Sequence, residues 1–229
     1  MNFAQRSPHL RERMEDPHCD PEQLETTYRQ FDAVNRLLAG WRSTYRRWIR
    51  PLFDGAGRPY SVLDVGCGGG GLLADLNRWA AADGFELSLT GVDSDERAVR
   101  YAVRQASSPE SVFRHGTAGD LLREGRKYDV VICNHLLHHL DDEQVPALLG
   151  DLEGLTEHIC VVCDVSRSRL GYLLFRVLVA PWFRRSFIAE DGLLSIRRGF
   201  TPREMESLAR PGWRVLRGFP FRNILIWQA

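Results

Sequence analysis

The chain has 229 residues, and its thirty Lys and Arg against thirty Asp and Glu leave a formal net charge of zero. That balance excludes a field that gathers polyanions, so nucleic acid is not an expected partner. Hydrophobic residues at 44% and charged residues at 26% describe one folded domain and exclude a disordered chain.

Residues 1–20 are polar, carry Pro8 and Pro17, and are expected to form a flexible arm. They hold no apolar run of the kind a secretory signal needs. From Pro21 to Phe53, the residues Leu24, Tyr28, Phe31, Val34, Leu37, Leu38, Trp41, Tyr45, Trp48 and Ile49 recur at three- and four-residue steps. That spacing predicts amphipathic helices, broken at Gly40, and residues 21–58 are read as one helical unit ending in the turn-rich stretch 53–59.

Short apolar runs then alternate with helical patterns through residues 59–229. Strands are predicted at Tyr60 to Val65, Glu86 to Val92, Ser111 to His115, Tyr128 to Cys133 and His158 to Asp164. Helices are predicted at Gly70 to Ala82, Asp95 to Gln105 and Glu143 to Glu153. Such alternation calls for a parallel sheet covered on both faces, an α/β Rossmann-like doubly wound fold. Residues 166–200, rich in Leu, Phe and Arg, depart from the alternation. Thr201, Pro202 and Glu204 spell a capped helix start. Trp213 to Phe219 and Arg222 to Trp227 are strands joined too closely to be anything but antiparallel.

Leu170 to Phe183 is the most apolar stretch, but Arg176 and Pro181 interrupt it and it falls short of the ~20 residues of a membrane span. A peripheral membrane contact through 170–183 is left open. Five cysteines, Cys19, Cys67, Cys133, Cys160 and Cys163, form no disulfide framework and suit a reducing cytoplasm. Cys160 and Cys163 lie three apart on a strand, so their thiols point to opposite faces.

The strongest motif is Val62-Leu63-Asp64-Val65-Gly66-Cys67-Gly68-Gly69-Gly70-Gly71, a strand running into a glycine turn that opens a helix. The glycines alone fit a dinucleotide loop as well as that of another nucleoside cofactor. Asp64 breaks the tie. A carboxylate at the strand's end repels a pyrophosphate and suits a cationic amino group. Asp93, ending the next strand, is placed to accept two ribose hydroxyls, although a helix-capping role is the bland alternative.

These residues resemble the class I S-adenosylmethionine-dependent methyltransferases, whose fold is a seven-stranded sheet with an antiparallel last strand. The resemblance covers roughly residues 60–229. It implies that Asp64, Gly66, Cys67, Gly68 and Gly70 surround the methionyl part, with Asp93 and Ser94 on the ribose. It further implies Gly119 and Asp120 on the adenine side and Asn134 near the amino-acid end. S-adenosylmethionine is the implied cofactor and S-adenosylhomocysteine the product. Asp120 lacks the acidic or aromatic company usual there, and a surface turn carboxylate is its alternative.

Methyl transfer needs no covalent enzyme intermediate, and positioning supplies most of the acceleration. A phenolic acceptor gains from a base, worth roughly 10²–10⁴-fold. His135, His138 and His139 follow the fourth strand at the sheet edge where ligands bind. His139 in LLHHL is similar to the histidine that small-molecule methyltransferases carry there and is the expected base; packing beside Asp141 is its alternative. A zinc set of the three histidines lacks a thiol or fourth ligand, so no metal is assigned.

In the family, added segments cover the substrate. Residues 21–58 are therefore an expected lid and 166–200 an expected substrate cap. Tyr28, Phe31, Asn35, His135, Tyr172, Phe175 and Trp182 are the expected liners, for which core packing is the alternative. The lid and cap resemble bacterial natural-product methyltransferases acting on phenolic polyketides, lipid-tailed resorcinols or quinones. The expected reaction is methylation, most simply on oxygen, of a small apolar or aromatic acceptor. The alternatives are a catalytically silent binding module and an NAD-dependent oxidoreductase, which the single lysine, Lys127, disfavours by leaving no Tyr-x-x-x-Lys pair. Acceptor identity and oligomeric state stay open.

Overall fold

The computed structural model describes residues 3–55, 57–106 and 111–229, so Ala56 of the predicted turn lies outside the described residues. Pro at the first helical position and the Asp20 carboxylate, which accepts from the Gln23 amide, start α1 (Pro21–Leu38). Gly40, left-handed at φ 57°, redirects the chain into α2 (Trp41–Thr44), which continues through a wide turn at Tyr45–Ile49. A Cβ at Gly40 would stand 2.5 Å from Arg222 Nη2, so both backbone and space demand glycine.

The alternating segment follows as β1 (Tyr60–Val65), α3 (Gly71–Ala82), β2 (Leu87–Asp93), α4 (Glu96–Gln105) and β3 (Ser111–His115). It continues through α5 (Ala118–Arg123), β4 (Tyr128–Asn134), α6 (Gln144–Leu155) and β5 (Thr156–Val165). The predicted cap holds α7 (Arg169–Leu174) and α8 (Ile188–Arg198), and α9 (Pro202–Leu208) carries the expected Thr201–Glu204 capping box. β6 (Arg214–Gly218) and β7 (Arg222–Gln228) close the chain.

The seven strands lie in the order β3-β2-β1-β4-β5-β7-β6, with β7 antiparallel to β5 and to β6. Alternate residues of the central strands feed two cores. Val62, Ile132, Val161 and Ile226 face α3 and the α2 segment, whereas Leu63, Val131, Val162 and Leu225 face α6 and α9. Each fully buried aliphatic side chain of this kind contributes about 1.5–3 kcal/mol. Cys160 and Cys163 fall in different cores, as their spacing predicts.

Chain order reverses between β1 and β4, the position where open α/β sheets leave a crevice. The parallel register aligns Asp64 with Gly91 on one side and Ile132 on the other, and so gathers Asp64, Asp93 and Asn134 at one carboxyl edge.

Residues 3–20 lie against the rest of the fold. Arg6 donates to the Arg198 and Leu140 carbonyls, the Arg13 and Met14 amides donate to Asp191, and Arg97 holds the Met14 and Asp16 carbonyls. The polar composition that suggested a flexible arm instead encodes long-range ion pairs.

Candidate active site

The carboxyl ends of β1, β2 and β4 floor an open cavity of about 1290 Å³. An ordinary ligand pocket takes ~300–1,000 Å³, so there is room for a nucleoside cofactor beside an acceptor. α1, the arm, the cap and the β6–β7 turn supply its walls.

The glycine turn has little to offer an anion. The Gly66 and Cys67 amides donate to the Val92 carbonyl, the Gly68 amide to Asp93 Oδ2 at 2.8 Å, and the Gly70 amide to the Cys67 carbonyl. These four amides are thus spent within the fold. What the floor does offer is acceptors. Asp64 Oδ1 and Asn134 Oδ1 are buried without a hydrogen-bond partner among the described residues, an arrangement that leaves a desolvation cost until a donor arrives. Burial, with the charge of Asp93 behind it, pushes the Asp64 carboxyl up to about 8. Asp93 is also raised by burial, against the pull of the Asp95 and Gly68 amides it accepts. A ligand with a cationic, donor-rich end and vicinal hydroxyls fits this floor; a diphosphate does not.

Residues 62–157 match a family of methyltransferase domains. Over that segment the chain is similar to the class I S-adenosylmethionine-dependent methyltransferases. It is 29% identical over 211 residues to a ubiquinone biosynthesis O-methyltransferase of Cupriavidus pinatubonensis, covering 85% of this chain and 77% of the relative. A protein of the same name from Rickettsia typhi is 29% identical over 127 residues, 53% of this chain and 47% of the relative. Against the first such relatives the chain spans about half of their length. Its fold is similar to that of magnesium protoporphyrin IX methyltransferase from Synechocystis PCC 6803 with bound SAM. There the TM-score is 0.53 at 17% identity, covering 93% of this chain and 99% of that one.

The family's cofactor is S-adenosylmethionine, and the floor meets its chemistry. Asp64, Gly66, Cys67, Gly68, Asp93, Ser94, Gly119 and Asn134 all line the cavity. Two expected residues do not. Gly70 turns its α-carbon toward Phe113, whose ring a Cβ would meet at 2.7 Å, so packing and a left-handed φ of 80° are its reasons to be glycine. Asp120 caps α5 by accepting from the Thr117 amide and hydroxyl, and it pairs with Arg123. That alternative reading of Asp120 is the one its geometry matches.

Among the expected liners, Phe31, Asn35, His135 and Phe175 face the cavity. Tyr28 does too, but it packs over Gly69 and beside Tyr101, at the cofactor end. Asn35 accepts from Asn134 Nδ2 at 3.2 Å, joining lid to floor. Tyr172 and Trp182 lie outside the wall. The Tyr172 ring stands edge-on to Phe3, 5.3 Å away, and Trp182 is 82% exposed.

The histidines separate into three environments. Burial would push His138 down, but Asp164 at 2.7 Å from Nδ1 and Glu12 at 3.4 Å from Nε2 outweigh it and hold the imidazole up to about 10. His138 is therefore a buried cation at neutral pH. His135, at the end of β4 with φ 55°, is pushed down to about 4 by burial and stays neutral. His139 Nδ1 lies 2.5 Å from Glu15 Oε1, while its Nε2 stands 4.0 Å from Glu12 Oε2. Burial would raise Glu15, yet His139 and Arg198 hold it down to about 2. Asp141, the partner in the alternative reading of His139, is absent from this group; its amide donates to Gln144 Oε1.

Glu12, His138 and His139 bring ligand atoms within 4.8 Å of one another, as do His135, His138 and Asp164. In the first set Glu12 already faces both histidines and accepts from Ser195, with Arg198 4.0 Å away, and in the second Asp164 is already paired with His138. Glu12 and Glu15 escaped the sequence reading because their partners His138, His139, Ser195 and Arg198 are 124 to 183 residues away. Asp164 carried a usable signal, a carboxylate ending a strand as Asp93 does.

Proposed function

We propose that the protein methylates an oxygen of a small apolar or aromatic acceptor, of phenol or quinol type, with S-adenosylmethionine as donor. The observation that carries the reading is the Glu15–His139 pair standing in the same cavity as the orphaned acceptors of Asp64 and Asn134. Two relatives named for O-methylation in ubiquinone biosynthesis support the choice of oxygen.

When bound, S-adenosylmethionine supplies a methyl group on a positively charged sulfur. Asp64 and Asn134 hold the amino end, and Asp93 accepts from the ribose hydroxyls. Phe175 and Val179 form an apolar wall that fixes the acceptor's ring, and the exposed Leu174 and Leu178 continue it toward the outside. Glu15 accepts the Nδ1 proton of His139 and leaves Nε2 facing the cavity as proton acceptor. The acceptor hydroxyl gives its proton to Nε2 as its oxygen takes the methyl group, and Glu15 balances the imidazolium that forms. The Glu12–His138–Asp164 row keeps a second charge paired behind this dyad. Five free thiols suit a reducing compartment, and the cytoplasm is the proposed location.

Calorimetry with S-adenosylmethionine and NAD, followed by S-adenosylhomocysteine formation with a panel of phenols and quinols, tests the reading. Micromolar binding of the sulfonium donor alone, with turnover on a phenol, is expected. His139→Ala should then lower kcat by roughly 10²–10⁴-fold with cofactor affinity unchanged. Binding without turnover on any acceptor identifies a silent module, and NAD binding overturns the cofactor assignment.

A further inference from the structure

The rod that begins at α7 runs on through a wide turn at Phe175–Val179 and a tight one at Ala180–Trp182. Leu170, Leu173, Leu174, Val177 and Leu178 occupy positions i, i+3, i+4, i+7 and i+8 of it, and all five are exposed. A helix of a water-facing protein turns such a stripe inward; this one turns it out. Its inner face is also apolar, since Phe175 packs on Gly192 and lines the cavity with Val179. Trp182, at the end of the rod, is almost wholly in solvent.

Charge is distributed just as unevenly. No carboxylate occurs between Asp164 and Glu190, in a chain whose net charge is zero. Arg169, Arg176, Arg184 and Arg185 flank the stripe, exposed and without a carboxylate partner among the described residues. Arg167, the fifth cation of the stretch, is buried against Glu204. The patch also adjoins the cavity, because Leu174 and Leu178 both line it and stand exposed. The β6–β7 turn adds Phe219, 88% exposed, next to the lining residue Pro220.

We propose that residues 169–185 lie on the surface of an anionic membrane, the Leu-Val stripe and Trp182 among the acyl chains and the four arginines at the phosphates. An outward apolar stripe, a tryptophan at one end and a cationic border without acids are what an interfacial helix needs. A protein partner of ordinary kind would leave the uniform positive border unexplained. The cavity mouth then opens onto the bilayer. On the methyl-acceptor reading above, a lipid-soluble phenol or quinol enters without crossing water.

Co-sedimentation with vesicles of phosphatidylcholine, alone or mixed with phosphatidylglycerol, tests the proposal on the full chain. Binding is expected with the anionic mixture, weakening as salt rises, and not with phosphatidylcholine alone. The Leu173→Glu, Val177→Glu double variant should lose it while keeping its circular dichroism melt and its S-adenosylmethionine affinity. Arg184→Gln and Arg185→Gln should each lower the partition coefficient by about fivefold. The blue shift of tryptophan emission on binding should shrink in Trp182→Phe. Vesicle binding that survives the double Glu variant overturns the assignment of this face. A cofactor-competent protein that binds no vesicle overturns the membrane itself, as does a dimer that the double variant dissociates. None of these readouts uses methyl transfer, so failure here leaves the catalytic reading standing, and loss of catalysis leaves this one standing.

Discussion

The cofactor end and the acceptor end of the cavity are assembled in opposite ways. The cofactor floor is a run of neighbouring strand ends between residues 62 and 134, set by the parallel register and by one glycine turn. The acceptor end is gathered from the arm, α1, the turn after β4, α7, α8 and the β6–β7 turn. At the floor, the Asp64 and Asn134 side chains keep buried oxygens that no described residue satisfies. At the acceptor end, charges far apart in sequence satisfy one another and hold the wall in place. The floor thus keeps an electrostatic debt that binding settles, whereas the wall spends its electrostatics on its own assembly.

The contrast is tested most severely at His138. Its removal leaves Glu12 and Asp164 buried with no partner, and His138→Ala should cost about 3–5 kcal/mol of stability and release the arm. The pH dependence follows from the same pairs. A group whose folded pKa is raised stabilises fully below its ordinary value, here 6.5, and loses that contribution as pH climbs through about 10. Glu15 and Asp164 run the other way. Both are held down to about 2, so their contributions are complete above 4.5 and 3.8 and vanish as pH falls through 2. Thermal melts should therefore weaken on both sides of mildly acidic pH. The alkaline limb should be missing in His138→Gln; a limb that persists there would detach the arm from this histidine.

Asp64 reverses the pattern. Asp64→Asn removes the group that burial holds up at about 8, so the free protein should melt higher at pH 7, where the buried carboxyl must take up a proton that the unfolded chain does not hold. The same change should weaken cofactor binding by about 1.5–3 kcal/mol, the range of a hydrogen bond to a charged group. Because the free carboxyl is largely protonated at pH 7, binding of an ammonium should release close to one proton. Calorimetry in buffers of different ionisation enthalpy measures it, and the Asn variant should release none. A wild-type protein that binds without proton release would show Asp64 ionised already and remove the distinction between floor and wall.

How far each end could be read from sequence follows the same division. The succession of strands and helices, the antiparallel β7 and the Thr201–Glu204 cap rest on patterns that fit within a few residues, and the fold realises them, while Asp64 and Asp93 both line the cavity. Gly70 and Asp120 sat within such a pattern and still left the cavity wall, because packing against Phe113 and capping at Thr117 were stronger local demands. The arm was the largest departure. Glu15 and His139 are 124 positions apart, and no periodicity links them. Polar composition alone cannot distinguish a solvated tail from one whose Arg6, Glu12, Arg13 and Glu15 have distant partners.

Asp120 offers the finest test, with the smallest expected effect. Its oxygens accept from the Thr117 amide and hydroxyl and from Arg123, all at the surface, and this capping is what holds its carboxyl below the ordinary range. An adenine-binding carboxylate would need an oxygen turned into the cavity, which Thr117, Ala118 and Gly119 line and Asp120 does not. Asp120→Ala should accordingly lower the melting temperature slightly by loosening the first turn of α5, and leave S-adenosylmethionine affinity within error of the parent. A tenfold loss of affinity with an unchanged melt would return Asp120 to the floor. The cofactor end would then share the acceptor end's reliance on side chains that reach past their own element.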